Sequence, residues 1–116
     1  MENRENREAI QVFVEQTRSK FIKSFLDLLV LSLIEARPRW GYDIIKEAEL
    51  TYEVKIRHGA LYPMLNELEA KGLLTSRKEL KKGRVRKVYK ITETGKQALV
   101  LCRDFLKQQA SDPSQR

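Results

Sequence analysis

The chain has 116 residues, 41% of them hydrophobic and 34% charged, with 23 Lys and Arg against 16 Asp and Glu for a net charge of +7. That length holds one domain with a single core rather than two, and the composition excludes a disordered polymer. One cysteine, Cys102, excludes an intrachain disulfide, and the isoelectric point near 9.7 favours a polyanionic partner.

Asn3 to Lys20 places Ile10, Phe13, Val14 and Thr17 on one helical face among charged residues, an amphipathic arm whose short apolar stripe needs another surface, such as a partner subunit. A second helix is expected from about Phe21 to Ala36. It is apolar nearly all round, as a buried core helix would be, and Arg37-Pro38-Arg39 ends it. Its most hydrophobic run, Phe25 to Ala36, carries Asp27 and Glu35 and falls well short of the roughly 20 residues that span a bilayer. No N-terminal stretch reads as a signal peptide, so a cytoplasmic protein with no membrane partner is expected.

Gly41 opens a third helix, Tyr42 to about Leu50, and Trp40 before it is expected to close the turn by packing. Thr51 to Ile56 is β-rich and fits either a short strand or an extended connection. The fourth helix, His58 to Lys71, repeats Leu61, Leu65 and Leu68 inward and His58, Tyr62, Asn66 and Glu69 outward, with Gly72 as its stop. Leu73 to Glu79 and Arg84 to Ile91 read as two strands joined by Leu80-Lys81-Lys82-Gly83. Thr92 caps a last helix running to about Ala110, with Leu99, Cys102, Phe105 and Leu106 on a stripe that outruns the domain. Cys102 there reads as a small packing residue. Residues 111–116 are expected to be a disordered tail.

Within the hairpin, Arg77 to Lys90 holds eight Lys or Arg against one Glu, as much excess charge as the whole chain carries. A folded hairpin packed with like charges repels itself, and a bound polyanion removes that cost. The order helix, helix, basic hairpin, helix is the layout of a winged helix-turn-helix, and it points to double-stranded DNA. In that layout the fourth helix enters the major groove. Lys55, Arg57, His58, Tyr62 and Asn66 are placed to reach DNA, Arg57 and Asn66 with base-reading geometry and Lys55 and Tyr62 toward phosphate. Lys81, Lys82, Arg84, Arg86 and Lys87 of the hairpin would straddle the backbone or enter the minor groove. A solvated helix face and a solvated charge run are the plainer readings of the same residues. His58 has no paired Cys, Ser or carboxylate cluster, and no P-loop, GxGxxG or zinc spacing is present, so no enzyme, cofactor or metal site is expected.

The segments LVLSLIEARPRWGYDIIKEAE, GALYPMLNELEAKGLL and GRVRKVYKITETGKQAL resemble the PadR family of winged helix-turn-helix transcriptional regulators, in its short form without the large C-terminal domain. The likeness covers about Phe25 to Phe105. It implies a mostly α fold with a small β-hairpin wing and extra N-terminal and C-terminal dimerisation helices. In domain terms these are an arm at 1–20, a DNA-binding domain at 21–91 and a dimerisation helix at 92–110. It further implies that Tyr42 and Ile45 begin the first helix of the motif, that Tyr62 faces DNA and that Arg84 to Tyr89 form the wing. The family acts as homodimers on roughly palindromic operators, usually as repressors. Dimer contacts would come from Ile10, Phe13 and Val14 of the arm and from Leu99, Cys102, Phe105 and Leu106 of the last helix. Some relatives take planar aromatic compounds between subunits, which makes a small aromatic effector at the dimer interface a candidate partner. Trp40 stands where the family commonly has His, and Ala60 where it has Thr or Ser. A non-specific architectural or RNA-binding protein and a protein-interaction module are the alternatives.

Overall fold

The first 37 residues contain neither glycine nor proline, and in a computed structural model, which describes residues 3–111, Arg4–Ala36 make one uninterrupted helix. This is α1, Arg4–Ala36. The Asn3 side chain caps it by accepting the Asn6 N–H at 2.9 Å, and Pro38 follows its end. The arm and the core helix expected as separate elements are therefore one rod, about 50 Å long at the standard helical rise. Nothing at Lys20 or Phe21 can break a helix, and two hydrophobic patterns change over without a backbone signal. The core-helix expectation is corrected at its start: Phe21, Ile22 and Phe25 are exposed, and full burial begins at Leu29.

After Pro38 come β1, Arg39–Trp40, and α2, Gly41–Tyr52. α2 ends on Glu53 in the left-handed conformation, whose N–H reaches Ala48 and Glu49. Thr51 and Tyr52 thus belong to the helix, and the β-rich stretch becomes an extended connection that drops Ile56 into the core. α3 is His58–Ala70, with Pro63 inside it, followed by Gly72 at φ 78°. The strands β2, Leu74–Lys81, and β3, Arg84–Ile91, pair in register from Leu74↔Ile91 to Lys81↔Arg84. Their turn is only two residues, Lys82 and Gly83, both at positive φ, the conformation whose twist suits a tight hairpin. α4 is Glu93–Ala110, capped by Thr92, whose hydroxyl accepts the Gly95 N–H at 3.0 Å and donates to the Gly72 carbonyl at 2.6 Å. Of the expected tail, residues 112–116 lie outside the described residues.

β1 completes a three-stranded antiparallel sheet of order β1-β3-β2 through Arg39↔Tyr89 and Trp40↔Val88. A two-residue strand carries no periodicity, which is why the sequence gives no sign of it. One core gathers Val30 and Ile34 of α1, Ile44 of α2, Leu61 and Leu65 of α3, Tyr89 of β3 and Leu99 of α4. Buried Arg39 locks the α1–α2 corner: its Nε donates to the Leu33 carbonyl at 2.6 Å and its Nη1 lies 3.4 Å from Asp43, which Arg37 also meets at 3.3 Å. Three parts leave this body: the N-terminal half of α1, the outer half of α4 and the far half of the hairpin.

Candidate nucleic-acid interface

α3 buries Leu61, Met64, Leu65 and Leu68, and that anchoring fixes which residues face out. His58, Tyr62 and Asn66, each four apart, line the exposed side. The His58 and Tyr62 rings stack with centroids 6.5 Å apart. Arg57 is the N-cap residue, its carbonyl accepting from Ala60 and Leu61 at 3.0 Å each, and its side chain is exposed with that of Lys55 just ahead. Tyr42 is half-exposed at the start of α2. A methyl group added at Gly41 would come within 2.5 Å of the Tyr62 hydroxyl, so the absence of a side chain there lets Tyr62 lie against the α2 start.

Glu69, next on the α3 face, binds the hairpin instead of facing free solvent. It accepts the Ser76 hydroxyl at 2.6 Å and pairs with Lys87 at 3.6 Å. These contacts hold the root of the hairpin against α3. Strand alternation then sorts the basic residues onto two faces. Lys78 and Lys87, opposite one another, share the α3 side with the exposed pair Leu80 and Val85. Lys81, Arg84 and Arg86 lie on the other side with Glu79 and Val88. Arg77 is spent on Glu79 at 2.9 Å. Lys81, Lys82 and Arg84 at the tip have no acidic partner among the described residues.

The structure holds the hairpin root against α3 through Glu69, and it sets Arg86 apart from the cations of the tip. That guanidinium sits 3.9 Å above the Trp40 ring, on the sheet face turned away from α3. Trp40 is accordingly a sheet residue gripping the wing as well as a turn-closing one. Lys78 lies in the same basic run with no local signal that singles it out; only the cross-strand register sets it beside Lys87.

The expected dimer residues divide. Leu99 is fully buried in the protomer's own core, a correction, because α4 packs that side inward: Gly95 abuts Leu73 and Ile91, and Arg103 bonds Glu35 and Ser32 of α1. Cys102 is exposed, so the packing role assigned to it within one chain is also corrected. Ile10, Phe13, Val14, Phe105 and Leu106 are all exposed. Phe21 and Phe25 extend the arm's stripe, and Leu101 lies beside Phe105; the continuous helix is what joins them.

Between the arm and α3, Glu67 pairs with Lys71 at 3.2 Å and with Lys23 at 3.7 Å. The Lys71 hydrogen bond, helped by the Lys23 charge, holds the Glu67 carboxyl below its usual range. Burial, helped by the Glu67 charge, pushes Asp27 up. Burial likewise raises the Tyr89 phenol against the opposing pull of Lys87. Among the described residues no group of three or more His, Cys, Asp or Glu could hold a metal ion, and no helix is long and apolar enough to cross a membrane.

Residues 30–100 match the model of the transcriptional regulator PadR-like family. A 58-residue stretch is 41% identical to the transcriptional regulator Rv3488 of Mycobacterium tuberculosis, covering 50% of this chain and 54% of that protein. The chain thus spans about half the length of that relative. The fold superposes on a PadR-like transcription factor from Bacteroides fragilis with a TM-score of 0.73 at 26% identity, over 80% of this chain and 90% of the other. A PadR family transcription regulator from Clostridium difficile gives 0.65 at 29%, over 72% and 92%. The family's members regulate transcription by binding DNA and are not enzymes. The hairpin is the wing of a winged helix, α3 is the helix that precedes it, and the chain belongs to the PadR-like family of transcriptional regulators.

Proposed function

We propose that the protein is a cytoplasmic homodimeric repressor that occupies a pseudo-palindromic operator, with α3 in the major groove and the wing on the flanking backbone. The observation that carries this is the pairing of two unlike surfaces on elements joined through Glu69: the exposed His58, Tyr62 and Asn66 ladder on a well-anchored helix, and a wing whose tip cations have no acidic partner among the described residues. Asn66 and Arg57 read bases; Lys55, Tyr42 and Tyr62 touch the backbone; Lys81, Lys82, Arg84 and Lys87 take phosphates. Two copies join through the stripe of α1, from Ile10 and Phe13 to Phe25, and through Cys102, Phe105 and Leu106 of α4. A small aromatic effector would enter that same interface. The two recognition helices then meet half-sites about one helical turn, roughly 34 Å, apart.

The test is fluorescence anisotropy on the protein's own upstream promoter fragment and a scrambled duplex, each titrated at several salt concentrations. At least about hundredfold preference for the promoter near physiological salt is expected. Equal and steeply salt-dependent affinities for both duplexes would reduce the protein to a general polyanion binder.

A further inference from the structure

β1 is two residues long, so it supports β3 only at Val88 and Tyr89. From Lys87 outward the wing is a two-stranded cantilever, and two side-chain contacts brace it where it leaves the body. On the α3 side this is Lys87 with Glu69. On the opposite side it is Arg86, stacked at 3.9 Å on Trp40. Trp40 is also the N-cap residue of α2, and its ring lies 5.3 Å from that of Tyr42. The next residue, Gly41, receives the Tyr62 ring of the recognition helix. Wing, α2 start and α3 face are therefore linked through three consecutive residues, 40 to 42.

We propose that Arg86 is a positioning residue, setting the angle between wing and recognition helix by docking on Trp40, and that it is not itself a phosphate contact. This rests on the DNA-binding reading above. Arg86 has no acidic partner among the described residues, yet it is half-buried where Arg84, the next residue on its face, is exposed. An arginine held over an aromatic face keeps its charge and loses conformational freedom, which suits a brace. A wing fixed in advance binds with less ordering at the moment of contact, so the brace strengthens binding without adding a counterion-releasing contact.

The experiment compares the parent with Arg86→Gln, Trp40→Leu, the double variant and Trp40→Phe on the promoter fragment across a salt series, with Arg84→Gln as the phosphate-contact control. Arg86→Gln and Trp40→Leu should each bind about two- to fivefold more weakly, on lines parallel to the parent's in log affinity against log salt. The double variant should be no weaker than either single one, and Trp40→Phe should bind like the parent. Arg84→Gln should lower the slope by about 0.9. A slope loss of that size in Arg86→Gln, with Trp40→Leu at parental affinity, would make Arg86 a phosphate contact and overturn the proposal. If Trp40→Leu fails to fold, Arg86→Gln and Trp40→Phe decide the matter by the same slopes. Trp40 is the sole tryptophan, so acrylamide quenching of its fluorescence reads the brace without DNA. Quenching should rise in Arg86→Gln; unchanged quenching removes the brace, whereas a parent that binds no duplex removes the regulatory reading on which its role depends.

Discussion

The arm and the wing both project from one small body, and they are chemical opposites. The exposed half of α1 presents Phe13 and Phe21 at 68% and 69% exposure on a helix whose charges alternate in sign. The far half of the hairpin presents Lys81, Lys82 and Arg84 with no acidic partner among the described residues. Unsatisfied apolar area is relieved by another apolar face, and unsatisfied charge by an opposite charge, so each projection selects a different class of partner. Their stiffness differs for a related reason. Past its first turn the arm's backbone is bonded within its own helix, so it needs no brace, whereas the hairpin depends on side-chain contacts at its root.

Charging the arm should produce the largest effect. Phe13→Glu with Phe21→Glu is expected to give a folded monomer in light scattering, with operator affinity lowered about a hundredfold or more as the two half-sites are bound singly. A dimer that persists would move the interface to α4. Leu99→Ala sharpens the same distinction from inside. It should cost about 2–5 kcal/mol of stability in denaturant unfolding while leaving oligomeric state unchanged, because its side chain belongs to the protomer's core.

On the DNA side, Asn66→Ala is expected to cost about 1–3 kcal/mol on the preferred site and to flatten base preference there. Equal losses on every sequence would reassign Asn66 to the backbone. Lys82→Gln with Arg84→Gln should weaken all duplexes alike and lower the salt slope by about 0.9 for each residue; an unaltered slope would detach the wing tip from phosphate.

The smallest effect concerns the junction of arm and α3. Because the Asp27 pKa is raised in the folded protein above 3.8, folding gains from its protonation. That stability is present below the unfolded value and is lost as pH rises through the folded one. Asp27→Asn should therefore raise the melting temperature at pH 7 by about 1–2 °C, with the difference vanishing below about pH 4. A lower melting temperature at pH 7 would mean that Lys23 and Lys71 outweigh the burial.

Periodicity and punctuation made most of this molecule legible. Leucines at 61, 65 and 68 fixed the inward face of α3 and so its outward one, Gly72 and Gly83 marked turns, and Thr92 marked a cap. These are local signals, each set by the conformational freedom or hydrogen bonding of a few neighbouring residues. Four other features depended on residues far apart in the chain. The fusion of arm and core helix left Phe21 and Phe25 exposed, β1 formed because β3 offered it partners, Leu99 was taken into the core by α1, and Arg86 was turned to Trp40 by its register. The sequence by itself thus determined which segments are helical, where the charge collects and which family of fold results. Only tertiary structure decided which apolar residues remain without cover and which of the wing's cations remain free, because burial and pairing are set by what the folded chain brings alongside.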